Sequence, residues 1–173
     1  MRTILLLLTL PIQAALAQQP TFRDSLLDRF VGEWVLQGTI RGQSVTHDVS
    51  VQWVLAHQYL HIHEVSRELN ADGAPSYVAD VYVGWNAAEH EYACLWLDVY
   101  GSIEPESIGH GTRRGEEIAF VFREKSGDLF RTTFAAGPSP DVWTWRMDSE
   151  TKAGSKPFAR VTLTRKPPPV PTR

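Results

Sequence analysis

The sequence predicts an all-β protein in which about ten antiparallel strands form an up-and-down barrel, preceded by one short N-terminal helix. Three observations carry this prediction. Apolar and polar residues alternate in short segments between residues 33 and 165, turn residues separate the segments, and no helical crossover lies between them. The pairing should therefore be a meander, and closing it into a barrel removes the long exposed edges that such strands would otherwise present.

A short amphipathic helix is predicted before the first strand. Phe22, Leu26, Leu27 and Phe30 recur at helical spacing. Leu26, Leu27 and Phe30 share one face, which could plug one end of the barrel. After Val31 the apolar period changes to two, and this change marks where the strands begin.

Clear turn signals bound the predicted strands. The sequences Asn-Ala-Asp-Gly-Ala-Pro at 70–75 and Gly-Pro-Ser-Pro at 137–140 are the strongest breaks. The predicted strands span residues 33–41, 45–55, 58–69, 77–85, 91–100, 106–112, 117–123, 129–135, 142–148 and 158–165.

The first 17 residues have the composition of a cleavable signal peptide. Arg2 precedes an apolar run at 4–10, and Ala15 and Ala17 form a small-x-small cleavage motif. The run is too short to span a bilayer, and no later segment resembles a span. We therefore expect a secreted or periplasmic protein with a single domain at 18–166 and a Pro-rich, disordered tail at 167–173.

Composition and charge exclude several classes of partner. The formal net charge is −3 at pH 7, which argues against nucleic acid and against an anionic membrane surface. Cys94 is the only cysteine, so no intrachain disulfide can form and stability must come from the core.

The segment Gly32-Glu33-Trp34 carries a resemblance to a known group of proteins. A short helix followed by Gly-x-Trp at the start of the first strand resembles the calycin superfamily, which comprises lipocalins, fatty-acid-binding proteins and nitrobindin-like barrels. A looser pattern resembles an uncharacterised bacterial family of lipocalin-like secreted domains. The residues of that pattern are Val83-Gly84-Trp85-Asn86, Tyr92, Trp96-Leu97-Asp98, Gly101, Gly109 and Gly111.

The resemblance implies a barrel with a pocket but implies no reaction, because one fold can host many functions. Nitrobindin-like barrels bind haem through a histidine late in the chain. No histidine follows His110 here. We therefore expect no haem. No other cofactor is predicted.

Aromatic side chains near a few polar groups are typical of small-molecule pockets. On that basis the predicted ligand-binding residues are Trp53, Tyr59, His61, His63, Trp96, Asp98, Arg131 and Arg146.

Three of the six histidines could share one side of neighbouring strands. His61 and His63 flank one residue, so they should point to the same side about 7 Å apart. His47 is assigned the same parity on the neighbouring strand. Such a trio could hold zinc or copper, but hydrogen-bonded, half-buried histidines are the favoured interpretation and no metal is expected.

Asp98 shares its side of the fifth strand with aromatic residues. A buried, unpaired carboxylate is costly. Asp98 could therefore bind a cationic or hydroxylated ligand, act as a proton acceptor, or form a salt bridge with Arg131 or Arg146.

The favoured function is binding of an apolar or amphipathic small molecule after export. One alternative is an enzyme that uses Asp98 and His61 as acid–base groups in the barrel cavity. Another is a protein-interaction module of the cell envelope, including a homodimer, because the second side of the fifth strand (Ala93, Leu95, Leu97 and Val99) is also apolar. No Gly-x-Ser-x-Gly motif is present, and no motif specifies a reaction.

Overall fold

Ten antiparallel strands form a closed barrel in which each strand pairs with its chain neighbours and the last pairs with the first. A computed structural model describes residues 21–101 and 103–167. The predicted up-and-down barrel is confirmed, whereas the signal peptide (1–17) and residues 168–173 of the tail lie outside the described residues. The strands are β1 Gly32–Ile40, β2 Gln43–Val54, β3 Tyr59–Ser66, β4 Val78–Asn86, β5 Glu91–Asp98, β6 Ile108–Arg114, β7 Glu117–Arg123, β8 Leu129–Ala136, β9 Val142–Thr151 and β10 Gly154–Arg165.

The helix α1 (Ser25–Phe30) is shorter than the apolar spacing suggests. It starts late because the Asp24 side chain accepts hydrogen bonds from the Leu26 and Leu27 amides, at 2.8 and 3.0 Å, and so caps the first turn. A 3₁₀ turn (Pro105–Ser107) replaces the start of the predicted sixth strand, because Pro105 has no amide hydrogen for a ladder. Neither described helix is long and apolar enough to cross a bilayer.

The buried face of α1 fills one end of the barrel, as its apolar spacing predicts. Leu26, Leu27 and Phe30 are at most 3% exposed. The Phe30 ring stacks on Trp143 with centroids 4.5 Å apart. Further along the axis, Trp145 packs on Phe134 at 4.4 Å. Aromatic side chains therefore fill the half of the barrel next to the helix.

Trp34 and Arg165 join the helix to the seam between β1 and β10. Trp34 donates a hydrogen bond to the Phe30 carbonyl at 2.9 Å. The Arg165 guanidinium lies 4.1 Å from the Trp34 ring and donates to the carbonyls of Arg29 and Val31, at 2.8 and 2.9 Å. A Cβ at position 32 would lie 2.2 Å from this guanidinium, and the φ of Gly32 is +139°, so only glycine fits there.

Asp24 links the helix cap to β5 and β6. Its carboxylate accepts hydrogen bonds from the Tyr92 hydroxyl and from Arg113 Nη1, the latter at 3.0 Å. Burial disfavours the charge, but the bonds from Tyr92 and the cap amides, with the Arg113 charge, hold the pKa of Asp24 below its ordinary value. Burial and the Asp24 carboxylate raise the pKa of Tyr92 to about 12, so its hydroxyl remains a donor at neutral pH.

Replacing Arg165 by alanine should destabilise the barrel by about 2–4 kcal/mol, because it removes charged hydrogen bonds and a cation–π contact at the seam. Arg131→Ala is the matched control, since Arg131 forms an exposed ion pair with Glu150 and should cost less than about 1 kcal/mol. Urea unfolding measures both. Equal losses of stability in the two variants would contradict a special role for Arg165.

The Asp24→Asn variant should show that the negative charge of Asp24 stabilises the fold by an amount that depends on pH. The amide retains the helix cap but loses the ion pair, so the variant should be about 1–2 kcal/mol less stable at pH 7. Because the folded-state pKa is lowered, this contribution is complete above the unfolded value of about 4 and disappears as the pH falls through the folded value. Urea unfolding at pH 7 and near pH 2 should show the difference shrink; a constant difference would contradict the assignment.

Candidate functional site

The end of the barrel opposite the helix contains a cavity of about 930 Å³. Its volume lies near the upper end of the roughly 300–1,000 Å³ of small-molecule sites. The cavity extends from buried residues of β2 and β3, such as His47 and Glu64, to the exposed rim at Arg41 and Tyr100. A filled half and a hollow half therefore share one barrel.

Aromatic and other apolar side chains form much of the cavity wall. Phe130 packs edge-on against Phe158 with centroids 5.1 Å apart, and Trp96 lies 5.4 Å from Trp145 at the floor. Phe122 occupies space that β6 leaves open, because a Cβ at Gly109 would lie 2.6 Å from its ring. The apolar lining residues are Ile40, Val45, Tyr77, Trp96, Tyr100, Phe122, Phe130, Met147 and Phe158.

A histidine and a glutamate lie buried together in this wall. His47 Nδ1 and Glu64 Oε1 are hydrogen bonded at 2.5 Å, and both side chains are at most 4% exposed. His47 Nε2 lies 3.8 Å from Glu68 Oε2 near the rim. The second Glu64 oxygen, Oε2, has no hydrogen-bond partner. One glutamate oxygen is thus satisfied by the protein and the other is not.

A second polar group connects β5 to the segment before β4. Trp96 Nε1 donates to the Tyr77 hydroxyl at 3.1 Å, and that hydroxyl lies 3.5 Å from Asp98 Oδ2. Burial, together with the charges of Glu64 and Asp98, raises the pKa of Tyr77 far above its ordinary value. Tyr77 therefore stays protonated and can act as a hydrogen-bond donor beside the two carboxyl groups.

Carboxyl groups outnumber cations around the cavity. Among the described lining residues, the cationic or potentially cationic side chains are Arg41 and His47. Within the described part of the chain, just two buried side-chain oxygens lack a hydrogen-bond partner, and they are Glu64 Oε2 and Glu106 Oε2, both in lining residues. The acidic lining residues are Glu64, Glu68, Asp98, Glu104, Glu106 and Glu124.

The structure places two of the eight predicted site residues, Trp96 and Asp98, in the cavity wall. Trp53 lies at the helix end, where its Nε1 donates to Asp28 at 2.8 Å. The other five do not line the cavity and lie on the outward-facing positions of their strands: Tyr59, His61, His63, Arg131 and Arg146. Ligand binding by any of the eight stays a prediction.

The expected trio of His47, His61 and His63 is wrong. The β2–β3 register pairs Val49 with Glu64 and Ser50 with His63, so His47 and Glu64 face inward while both other histidines face outward. For the same reason Asp98 and His61, paired in the enzyme hypothesis, lie on opposite faces of the sheet.

The expected salt bridge between Asp98 and an arginine is also wrong. Arg131 pairs with Glu150 at 2.5 Å and Arg146 with Glu117 at 3.0 Å, both on the outer surface. Asp98 instead accepts from the backbone amide of Tyr100 at 2.9 Å. Its other oxygen, Oδ2, accepts a long hydrogen bond of 3.5 Å from the Tyr77 hydroxyl, so its hydrogen-bond partners among the described residues include no cation.

Sequence reasoning missed Glu64 and Tyr77. The signal for Glu64 was present, because Leu60, Ile62 and Glu64 form one alternating row and the first two are obvious core residues. Tyr77 precedes β4 and gave no comparable signal.

Cys94 faces inward and is completely buried, and burial raises the pKa of its thiol well above the ordinary value, so it is not a reactive nucleophile.

His61, His63 and Asp80 form a separate cluster on the outer face of β3 and β4. Asp80 Oδ1 lies 2.7 Å from His61 Nε2 and 2.8 Å from His63 Nδ1. Burial opposes ionisation of Asp80, but the bonds to the two histidines hold its pKa below the ordinary value. The sheet separates this cluster from the cavity.

Comparison of the chain with models of known protein families gave no match, and comparison with curated proteins gave no match either.

The buried His47–Glu64 pair should show strong energetic coupling. His47→Leu and Glu64→Leu should each cost about 3–5 kcal/mol because each leaves a buried polar partner unpaired, whereas the double variant should cost much less than their sum. Urea unfolding of the four proteins measures the coupling. The exposed His110–Glu91 pair, at 2.6 Å, provides the control cycle and should couple by less than about 1 kcal/mol. Additive losses at His47 and Glu64 would contradict the assignment.

Proposed function

We propose that this protein is an exported, lipocalin-like binding protein whose cavity takes a small amphipathic molecule with an ammonium or similar hydrogen-bond-donating group. The observation that carries the proposal is the pair of unpartnered, buried carboxyl oxygens, Glu64 Oε2 and Glu106 Oε2, in residues lining an aromatic-walled cavity. Each buried polar atom without a partner costs about 1–3 kcal/mol. A ligand donor would remove that cost.

The excess of carboxyl groups determines which charge the cavity prefers. An ammonium group would be attracted to Glu64, Asp98 and Glu106, whereas a fatty acid would bring a further negative charge into an acidic site. Aromatic rings also favour cations, because the face of a ring carries a negative electrostatic potential. Tyr77 and Trp96 lie beside Asp98 and supply such rings.

The apolar part of the ligand would lie against the phenylalanine wall. Phe122, Phe130 and Phe158 contact one another on β7, β8 and β10, whereas the His47–Glu64 pair lies on β2 and β3. Burial of apolar ligand surface there would supply about 25 cal/mol per Å² before the costs of association. The ligand is therefore expected to have one apolar end and one cationic end.

The lipocalin-like assignment and the location outside the cytoplasm belong to this proposal. The Gly32–Trp34 signature at the helix-to-strand junction, the closed barrel and the hollow half support the assignment. The signal-like composition of residues 1–17 supports export.

N-terminal sequencing of the protein purified from an exporting host should begin at Gln18.

Calorimetric titration with three molecules of one chain length tests the ligand class. At pH 7 we expect octylammonium to bind at least about tenfold more tightly than 1-octanol or octanoate, because only its head group complements the carboxyl groups. Glu64→Gln and Glu106→Gln should each reduce this preference. Glu117→Gln, which changes an outer-surface carboxylate, should leave it intact.

Two results would contradict the proposed ligand class. One is equal or tighter binding of octanoate by the native protein. The other is an unchanged preference for octylammonium in both cavity variants while each retains the native far-UV circular dichroism spectrum and melting temperature. Glu106 lies near the rim and is less buried than Glu64, so Glu106→Gln tests the charge where folding depends less on the residue.

A further inference from the structure

The outer face of β3 and β4 holds a second cluster of ligating groups, unrelated to the cavity. His61 Nε2, His63 Nδ1 and one Asp80 carboxylate oxygen lie within 4.8 Å of one another. Among the described residues, no other three histidine, cysteine or carboxylate side chains bring their ligand atoms this close together. We propose that these three side chains bind a divalent transition-metal ion, with Zn²⁺ as the representative ion.

The backbone fixes the positions of the three ligands. His61 and His63 are separated by one residue on β3, so both point outward. The β3–β4 register places Asp80 directly opposite His63 and Tyr82 directly opposite His61. The Tyr82 ring stacks on His61 with centroids 4.7 Å apart and an interplanar angle of 12°. Two strands and one aromatic contact thus orient the ligands before any ion binds.

The distances suit a metal polyhedron. Bonds of about 2.0–2.2 Å from zinc to nitrogen and oxygen place neighbouring ligand atoms about 3 Å apart. The Asp80 oxygen lies 2.7 Å from His61 Nε2 and 2.8 Å from His63 Nδ1. Both oxygen–nitrogen distances are slightly shorter than this spacing, and the two imidazole nitrogens lie within 4.8 Å of each other, so modest side-chain movements would admit an ion. Each neutral ring would carry its proton on the nitrogen that does not bind the ion, so two lone pairs and a carboxylate face the metal.

The donor set determines which ions fit. Two imidazoles and one carboxylate suit Zn²⁺, Cu²⁺ and Ni²⁺, whereas Mg²⁺ and Ca²⁺ prefer oxygen ligands alone. The side chains of His63 and Asp80 are each 41% exposed and that of His61 is 16% exposed. Solvent can therefore reach the site, and water can complete the coordination.

The hydrogen bonds of this cluster should contribute little to stability, because the groups are partly exposed and one carboxylate oxygen serves both histidines. The exposed pair of His110 and Glu91, at 2.6 Å, is what a simple histidine–carboxylate contact looks like on the same barrel surface. Among the described residues this pair has no third ligating side chain beside it, so it serves as a comparison on the same protein.

Calorimetric titration of the metal-free protein with ZnCl₂ tests the proposal. We expect one Zn²⁺ per chain, no heat from MgCl₂ or CaCl₂, and at least about tenfold weaker zinc binding for His63→Ala and Asp80→Asn. His110→Ala should bind zinc like the native protein. Circular dichroism and thermal melts establish that each variant is folded.

Spectroscopy distinguishes coordination from loose association. Co²⁺ bound by nitrogen and oxygen ligands should give visible d–d absorption that Zn²⁺ abolishes and that His61→Ala removes. The proposal is overturned if folded His63→Ala and Asp80→Asn bind zinc as tightly as the native protein, or if His110→Ala loses as much affinity as they do. None of these outcomes bears on the cavity, because the ligands face away from it.

Discussion

The contact of Arg165 with Trp34 and the end of α1 is the interaction on which the rest of the structure depends. Arg165, on the last strand, contacts the Trp34 ring on the first strand. It also donates hydrogen bonds to the carbonyls of Arg29 and Val31, where the helix meets the sheet. A meander of ten strands leaves two edges unless the first and last strands pair, and closure removes both. The interior exists because the seam between β1 and β10 holds.

The closed barrel is divided into a filled half and a hollow half. α1 contributes Phe30 to an aromatic cluster at its own end, and no described element plays that part at the other end. The chain instead places buried polar groups there, among them His47 and Glu64, which are 3% and 2% exposed. Replacement of such a pair by apolar residues often stabilises a protein. Its presence in the cavity wall therefore favours a role in binding over a role in stability.

Much of the fold could be predicted from the sequence, because the signals are local. Two-residue alternation, the turn at 70–75 and the helical spacing of Leu26 and Phe30 each depend on neighbouring residues alone. The site depends on register, and a shift of one residue exchanges the inner and outer faces of a strand. The pattern of β5 correctly puts Trp96 and Asp98 on one face. On β3 the histidines suggest the inward face, but the alternation of Leu60 and Ile62 points them outward.

Strand β3 shows why polar residues need not share one role even when they are adjacent in sequence. His63 and Glu64 are neighbours, yet one faces solvent beside Asp80 and the other faces the cavity beside His47. The carboxyl group on the inner side has a buried oxygen without a hydrogen-bond partner, which favours a ligand that carries a hydrogen-bond donor. On the outer side the carboxylate is shared by two imidazoles in reach of water, which favours an ion that accepts lone pairs. The same alternation that builds the barrel thus places the two proposed binding sites on opposite faces of one sheet.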